Sequence, residues 1–206
     1  MKENKDWTGN RRTTFATLGA SNHSEYERQQ HDYYATDPVA VDMLYKTGFF
    51  EGVKQVWEPA VGGGHLAERM TQLGIATFFS DLHDYGYIEH FKPLDFLKCE
   101  AHHAEGVDAI VTNPPYKYAL EFCQKCVELG VPKFAMFLKL TFLEGAKRRE
   151  FFKSNPPRYV AVCVNRIQCA LNGDPEMFKK SSAACYAWFI WEKGYQGKPE
   201  VLWVEK

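Results

Sequence analysis

The architecture of this chain follows from one stretch, Val53-Lys-Gln-Val-Trp57-Glu58-Pro-Ala-Val-Gly62-Gly63-Gly64-His-Leu-Ala-Glu-Arg-Met70. Its apolar first part predicts a strand, and its last part predicts a helix. The three glycines between them permit a tight turn and let a ligand approach the backbone, while the first amides of the helix face that ligand. The stretch therefore predicts a small-molecule site, in which the Glu58 carboxylate can attract an ammonium group.

A second informative stretch begins with the apolar run 108–112 and continues as Asn113-Pro114-Pro115-Tyr116. The run predicts a buried parallel strand, and two prolines end its ladder at the edge where open α/β sheets bind ligands. The Asn113 side-chain oxygen and the Pro114 carbonyl can both accept hydrogen bonds from one NH2 group, and the Tyr116 ring can stack on the flat system that carries it. An ordinary strand exit is the alternative, since Asn and Pro-Pro are common in turns.

These two stretches, in this order, resemble the amino-group methyltransferases that use S-adenosylmethionine, and specifically the phage and prophage DNA N6-adenine methyltransferases. An acid, three residues, Gly, any residue and Gly is their cofactor pattern, whereas the dinucleotide fingerprint spreads its glycines. The resemblance covers most of the chain and has the gamma order, with the cofactor motif before the catalytic motif. It implies an α/β, Rossmann-like class I methyltransferase fold: a mostly parallel seven-stranded sheet, a late antiparallel strand and helices on both faces.

The resemblance also implies a role for each matching residue, with S-adenosyl-L-methionine as cofactor. Thr36 would contact the methionine carboxylate, although Thr36-Asp37-Pro38 also predicts a helix start. Asp81 would bind the ribose, and Asp95 with Phe96 would lie beside the adenine of the cofactor, although both acids could instead be cap or turn residues. The implied catalytic residues are Asn113, Pro114, Pro115 and Tyr116. The implied cofactor-binding residues are Tyr34, Thr36, Glu58, Pro59, Ala60, Gly62, Gly64, Asp81, Leu82, Asp95, Phe96 and Asn113.

The implied partner is DNA, with the target adenine flipped out of the duplex. The formal net charge is only -1, so the chain offers no global attraction to nucleic acid, and a local basic groove is needed. The stretch 165–182 is long for a hairpin loop, and we expect it to contact substrate. A solvated helix face is the alternative for some of the charged residues. The candidate DNA-binding residues are Lys117, Lys139, Arg148, Arg166, Lys179 and Lys180.

Length and composition indicate one catalytic domain over 31–206, preceded by a polar arm over 1–30. The chain has 206 residues, of which 45% are hydrophobic. The arm could lie along DNA or pack over the cofactor, and a disordered leader is the alternative. We expect no separate target-recognition domain, so sequence specificity would come from loops, from the arm or from a second subunit in a homodimer.

Several other classes of site and location are not expected. No apolar run is long enough to span a membrane and the start of the chain is polar, so we expect a cytoplasmic protein with no membrane partner. Six cysteines are expected to be reduced. Cys123 and Cys126 fit a helix, His102-His103 fits a solvated loop, and no metal site is predicted.

Two further functional classes remain open from the sequence. Guanine amino groups in ribosomal RNA and the glutamine amide of release factors also present a planar NH2, and the same tetrapeptide serves their methyltransferases. The glutamine enzymes carry a helical amino-terminal domain that this sequence does not display. A cofactor-binding protein without turnover is the non-enzymatic alternative.

Overall fold

The computed structural model describes residues 33–171 and 184–206. The arm over 1–30, Lys179 and Lys180 lie outside these residues, and so does most of the stretch 165–182. The strands are β1 (Tyr34–Thr36), β2 (Gln55–Glu58), β3 (Ala76–Phe79), β4 (Ala109–Thr112), β5 (Lys133–Lys139), β6 (Tyr159–Cys163), β7 (Cys169–Leu171), β8 (Tyr186–Glu192) and β9 (Glu200–Val204). The α-helices are α1 (Val39–Lys46), α2 (His65–Gln72), α3 (Ala119–Leu129) and α4 (Ala146–Ser154).

Seven strands form one sheet in the order β3-β2-β4-β5-β8-β6-β9. Only β8 runs antiparallel to its neighbours in this sheet. The predicted α/β architecture, with a mostly parallel seven-stranded sheet and a late antiparallel strand, is therefore confirmed. Because β2, β3, β4 and β5 run in the same direction, their carboxyl ends meet at one edge.

Helices cover both faces of this sheet, as predicted. On one face, α1 and α2 bury Met43, Leu44 and Met70 against a cluster that includes Trp188. On the other face, α3 and α4 pack against a cluster that includes Phe189. A large apolar side chain that is removed from water in this way contributes about 1.5–3 kcal/mol to folding. Trp188 and Phe189 lie in an apolar run for which the sequence predicts core packing, and both are fully buried.

Strands β1 and β7 form a separate antiparallel pair beside this sheet. Thr36 lies opposite Cys169, and the Asp37 amide donates to the Gln168 carbonyl at 3.0 Å. Asp37 also accepts a hydrogen bond from the Val39 amide at 3.0 Å, which helps to start α1 at the position that the Asp-Pro pair predicts. This pair of strands thus carries Thr36 to the carboxyl edge of the main sheet.

Some elements differ from those predicted. The sequence predicts a helix over Leu143 to Lys153, but Leu140–Leu143 forms a 3-10 turn and α4 starts at Ala146. Gly145, with φ 105°, separates the two, because that backbone conformation cannot lie inside an α-helix. The edge strand β9 was not predicted, although its apolar run Val201-Leu-Trp-Val204 is consistent with a strand.

The helix around Cys123 and Cys126 was predicted correctly, and both thiols are buried in α3. Across 33–171 and 184–206, no helix combines the length and the apolar character that crossing a bilayer requires.

Candidate active site

The candidate site lies along the edge where four parallel strands end. Glu58 is the last residue of β2, and Asp81 follows β3 by two positions. Asn113 follows β4 directly, and Lys139 is the last residue of β5. Residues that are far apart in the sequence are thereby brought together at the edge where ligands bind in open α/β sheets.

The glycine loop adopts a backbone that requires glycine at two positions. Gly62 has φ 53° and Gly64 has φ 83°. A Cβ atom at Gly62 would lie 2.2 Å from the Tyr33 ring, and one at Gly64 would lie 2.2 Å from the Tyr87 ring. The Tyr33 hydroxyl accepts a hydrogen bond from the Gly63 amide at 2.8 Å. Tyr34, rather than Tyr33 or Tyr87, was predicted from the sequence as a cofactor-binding residue.

Replacing Gly64 by alanine should destabilise the protein by about 2–5 kcal/mol, because a left-handed backbone costs an alanine about 1–2 kcal/mol and a clash adds about 1–3 kcal/mol. Gly74→Ala is a matched control, since Gly74 has φ 77° but an added Cβ meets nothing within 4 Å. Denaturant unfolding of both variants measures the difference. Equal losses of stability would show that the contact with Tyr87 contributes nothing.

Glu58 is a buried acid with an unused oxygen. Its side chain is 1% exposed, and its Oε2 atom has no hydrogen-bond partner. Burial raises the pKa of Glu58 well above its ordinary value, the nearby charge of Asp81 raises it further, and the Ala67 amide opposes both effects. A buried carboxyl in this condition gains from a cationic ligand, which would supply both a partner and a compensating charge.

Asp81 holds the glycine loop in place through hydrogen bonds from backbone amides. Its carboxylate accepts hydrogen bonds from the Gly62 amide at 2.9 Å and from the His83 amide at 3.0 Å. Burial raises the pKa of Asp81, while these backbone amides lower it. The structure therefore gives Asp81 the turn-supporting role that the sequence left open, and its predicted contact with a ribose stays a prediction.

The side-chain amide nitrogen of Asn113 is hydrogen-bonded, whereas its side-chain oxygen has no hydrogen-bond partner. Its Nδ2 atom donates to the Thr36 hydroxyl at 2.8 Å and to the Tyr34 carbonyl at 3.2 Å. The Tyr34 carbonyl can only accept, so this network fixes which end of the amide carries the nitrogen. The Oδ1 atom is buried and has no hydrogen-bond partner. A buried acceptor without a donor costs stability, so this oxygen is poised to accept a hydrogen bond from a ligand.

Tyr116 is held by residues of distant strands. Its hydroxyl lies 3.0 Å from the Tyr186 hydroxyl, and its ring centroid lies 5.4 Å from that of Tyr34. The Lys139 ammonium lies 4.8 Å from the centre of the Tyr116 ring. Burial is the main cause that raises the pKa of Tyr116 well above its ordinary value. The phenol is therefore neutral at physiological pH, which suits a side chain that stacks rather than one that removes protons.

Two further residues lie beside Tyr116 and were not predicted from the sequence, Tyr186 and Cys169. Tyr186 stacks on Phe137, with ring centroids 5.1 Å apart and ring planes 9° apart. Cys169 lies opposite Thr36 in the β1–β7 pair, and burial raises the pKa of its thiol, while the nearby Tyr116, Tyr186 and Thr36 side chains lower it. No local motif marks either residue, because each reaches the site only through strand pairing.

The remaining cofactor candidates differ in their availability to a ligand. Leu82 is 46% exposed, whereas Pro59 is buried and Ala60 is half-buried against the core. The Asp95 side chain accepts from the Leu97 amide at 3.1 Å and forms an ion pair with Lys98. It is therefore a turn cap, which was the alternative interpretation of this acid.

Phe96 is a core side chain in this structure. It is 2% exposed, and its ring centroid lies 5.2 Å from that of Trp57 and 4.8 Å from that of Phe122. Its predicted contact with the cofactor would require the ring to leave this packing. Pro114 is buried and Pro115 is half-buried, so the two prolines hold the backbone of the catalytic stretch rather than project into solvent.

The candidate DNA-binding residues are unevenly placed. Lys139 contacts Tyr116 directly, and Lys117 is exposed three residues beyond Pro114. Arg148 folds back onto its own turn, where it donates to the Glu144 carbonyl and lies 5.2 Å from the Phe142 ring. Arg166 is exposed. In the described part of the chain, no cluster of three or more His, Cys, Asp or Glu side chains could hold a metal ion.

Comparison with known proteins supports the fold. No protein-family model matches the sequence, and no curated protein matches it significantly. A "putative RNA methyltransferase" from Pyrococcus horikoshii is 14% identical with a TM-score of 0.57, over 89% of this chain and 99% of that one. A SAM-dependent methyltransferase from Archaeoglobus fulgidus is 11% identical with a TM-score of 0.44, over 75% of this chain and 93% of that one. The first of these two similarities, together with the strand order of the sheet, confirms the predicted class I methyltransferase fold.

Proposed function

We propose that this chain transfers a methyl group from S-adenosylmethionine to a planar amino group, and that its substrate is the N6 amino group of adenine in DNA. The observation that carries this proposal is the Asn113 side chain, whose Nδ2 atom is tied to Thr36 and Tyr34 while its buried Oδ1 atom has no donor. An exocyclic NH2 group is a donor that fits this oxygen, and Asn113 stands beside a tyrosine that can stack on the attached ring.

The residues at the glycine loop fit the proposed cofactor. Glu58 offers an unpartnered buried oxygen to an ammonium group, and the loop precedes α2, whose first amides can face a carboxylate. The Gly63 amide is bonded to the Tyr33 hydroxyl, so a ligand that uses this amide would displace that hydroxyl. S-adenosylmethionine supplies a methyl group on a sulfonium, which is already a strong electrophile.

The chain supplies position and electrostatic stabilisation in this reaction. The Asn113 Oδ1 atom would accept one amino hydrogen and the Pro114 carbonyl the other, which turns the nitrogen lone pair toward the methyl group. Both oxygens would stabilise the positive charge that develops on nitrogen during transfer, and this interaction is stronger in the transition state than in the ground state. Alignment of nitrogen, methyl and sulfur contributes further rate. The nitrogen–methyl bond forms as the sulfur–methyl bond breaks, the neutral thioether leaves, and the nitrogen then loses one proton to water, so transfer needs no covalent enzyme intermediate.

The proposed DNA substrate requires base flipping, because adenine N6 lies inside the duplex stack. Tyr116 would stack on the extruded base, and its bond to Tyr186 would keep the ring in place. Lys139, above that ring, and the exposed Lys117 would attract the flanking phosphates. RNA and protein glutamine carry the same planar amino chemistry, so the experiment includes them.

Label transfer to competing macromolecules tests this proposal. Radiolabelled S-adenosylmethionine is incubated with equal amounts of unmethylated duplex DNA, single-stranded DNA, RNA and release factor, and the label in each is counted. We expect label in DNA. Label confined to RNA or to protein would overturn the substrate, and label in none of them would argue for a cofactor-binding protein without turnover.

Thr36 should act as a positioning residue for Asn113. Thr36→Val removes the hydroxyl that accepts from the Asn113 Nδ2 atom and keeps a similar shape, so we expect kcat to fall about 10- to 100-fold. Thr36→Ser keeps the hydroxyl and should retain most of the activity. Steady-state kinetics and calorimetry of cofactor binding separate the two possible roles. A loss confined to cofactor affinity would instead support the methionine-carboxylate contact that the resemblance implies.

A further inference from the structure

Among the residues that the structure describes, no strand pairs with the outer side of the edge strand β9. It pairs on one side with β6, in parallel. On that side the Glu200 amide donates to the Arg158 carbonyl, and the Val204 carbonyl accepts from the Val164 amide. Because backbone groups alternate along a strand, Val201 and Trp203 turn theirs away from β6. An edge of this kind is a template for another strand.

The same edge carries an exposed apolar strip. Trp203 is 72% exposed, and Val201 and Val164 are each 50% exposed. Val201 lies beside Val160 of β6, and Trp203 lies beside Val162, so these side chains share one face of the sheet. Neither a proline nor a charged side chain interrupts the face between Val201 and Trp203. In the described part of the chain, the proline and the charged residues that usually protect an edge strand lie only at the ends of this one, at 199–200 and 205–206.

We propose that β9 pairs with β9 of a second copy of this chain, antiparallel and centred on Trp203. In this register Trp203 lies opposite Trp203 of the second copy. The amide and the carbonyl of each tryptophan then bond to the carbonyl and the amide of the other. Val201 then lies opposite Glu205 of the second copy, which directly follows the last residue of β9. The Glu205 carbonyl accepts from the Lys46 ammonium at 2.9 Å and has a second lone pair for the Val201 amide. Trp203 is thereby covered by its own counterpart.

Charge complementarity favours this occupant and this register. With Trp203 at the centre, Glu200 lies opposite Lys206 of the second copy, and the two-fold symmetry repeats the pair at the other end. Opposite charges directly across a strand pair are stabilising, and like charges are not. Glu200 is exposed and already forms an ion pair with Arg158 at 3.5 Å, so its carboxylate is held at this end of β9.

The pairing joins the two seven-stranded sheets into one continuous sheet. Since β9 runs parallel to β6 and in the same direction as β2, β4 and β5, an antiparallel partner directs the two candidate active sites to opposite edges. Each candidate active site would then bind a separate substrate molecule. A contact of one strand and one apolar strip is small compared with a permanent interface, so a reversible dimer is the expected form.

Sedimentation velocity of the full chain from about 1 μM to about 200 μM measures this association. We expect a reversible monomer–dimer equilibrium that Trp203→Lys weakens at least about tenfold. Val127→Lys is the matched control, because Val127 is 41% exposed on α3, away from β9, and it should leave the equilibrium unchanged. A wild-type protein that stays monomeric over this range, or an equal effect of the two variants, would overturn the proposal.

A charge exchange tests the register. Glu200→Lys and Lys206→Glu each place like charges opposite one another and should weaken the dimer, whereas the double variant restores both opposite-charge pairs and should restore the dimer. Loss of the Arg158 ion pair cannot explain such a rescue, since Glu200→Lys removes it in both backgrounds. Failure of the double variant to recover would overturn pairing centred on Trp203.

Discussion

Asn113→Ala is expected to lower the rate of methyl transfer by about 10²- to 10³-fold, the usual cost of removing one group that stabilises developing charge. The alanine variant loses the Oδ1 acceptor that would hold the amino group, and nothing else in the described cluster replaces it. Cofactor affinity should change far less, because Glu58 and the glycine loop lie on a different strand end. Single-turnover kinetics measures the rate, and calorimetry measures the affinity.

Asn155→Ala is a suitable control for this variant. Asn155 is half-buried between α4 and β6, and it bonds to the Trp191 indole at 3.0 Å through its backbone carbonyl, which alanine keeps. It should leave the rate unchanged. An Asn113→Ala enzyme that keeps more than about half of the wild-type rate would contradict the proposed role of the Oδ1 atom, since a lost charge-stabilising contact costs far more than that.

Glu58→Gln should weaken cofactor binding by about 10- to 100-fold, because a charge-assisted hydrogen bond contributes about 1.5–3 kcal/mol. The same change should stabilise the free protein at neutral pH. Burial raises the pKa of Glu58, so the wild-type carboxyl prefers to be neutral in the folded state. Its contribution to stability is complete below the ordinary pKa of 4.5 and is lost as the pH rises toward the raised folded pKa.

The two proteins should therefore unfold with similar free energies near pH 4.5 and diverge above it, with the glutamine variant more stable at pH 8. Each unit of pKa shift corresponds to about 1.4 kcal/mol. Cofactor binding to the wild type should also tighten as the pH rises and release a proton, and Glu58→Gln should remove this dependence. Denaturant unfolding and calorimetry at several pH values measure both effects. Glu121→Gln, an exposed glutamate on α3, should change neither.

A glutamine variant that binds the cofactor with wild-type affinity would contradict the role of Glu58. Equal unfolding free energies of the two proteins at pH 8 would contradict the raised pKa. The combination of weaker cofactor binding with higher stability indicates an acid that is buried for function. In the free protein one oxygen of the buried carboxyl has no partner, and the ligand supplies one.

Local signals allowed the parallel sheet, the glycine loop and α3 to be predicted from the sequence. Apolar residues that recur at helical spacing predict a helix over Ala119 to Leu129, and α3 has these bounds in the structure, where Gly130, with φ 70°, ends it. Asn113 was placed at a strand end because two prolines follow it. Each of these inferences uses residues that are neighbours in the chain.

The contacts that orient the site could not be predicted in this way. Thr36 and Asn113 are 77 positions apart, and they meet because the three-residue strands β1 and β7 pair beside the sheet. Strands of this length carry no periodicity. The sequence around Tyr186 predicts an apolar core strand. Only the register of β8 against β5 brings the Tyr186 hydroxyl to Tyr116.

Nucleoside mass spectrometry of unmethylated duplex DNA after incubation with the protein and S-adenosylmethionine tests the central claim most directly. The Asn113 geometry predicts N6-methyladenine, which should be absent without the cofactor and strongly reduced with the Asn113→Ala protein. Methyl groups on a ring carbon, such as 5-methylcytosine, or N6-methyladenine formed equally well by Asn113→Ala, would contradict it.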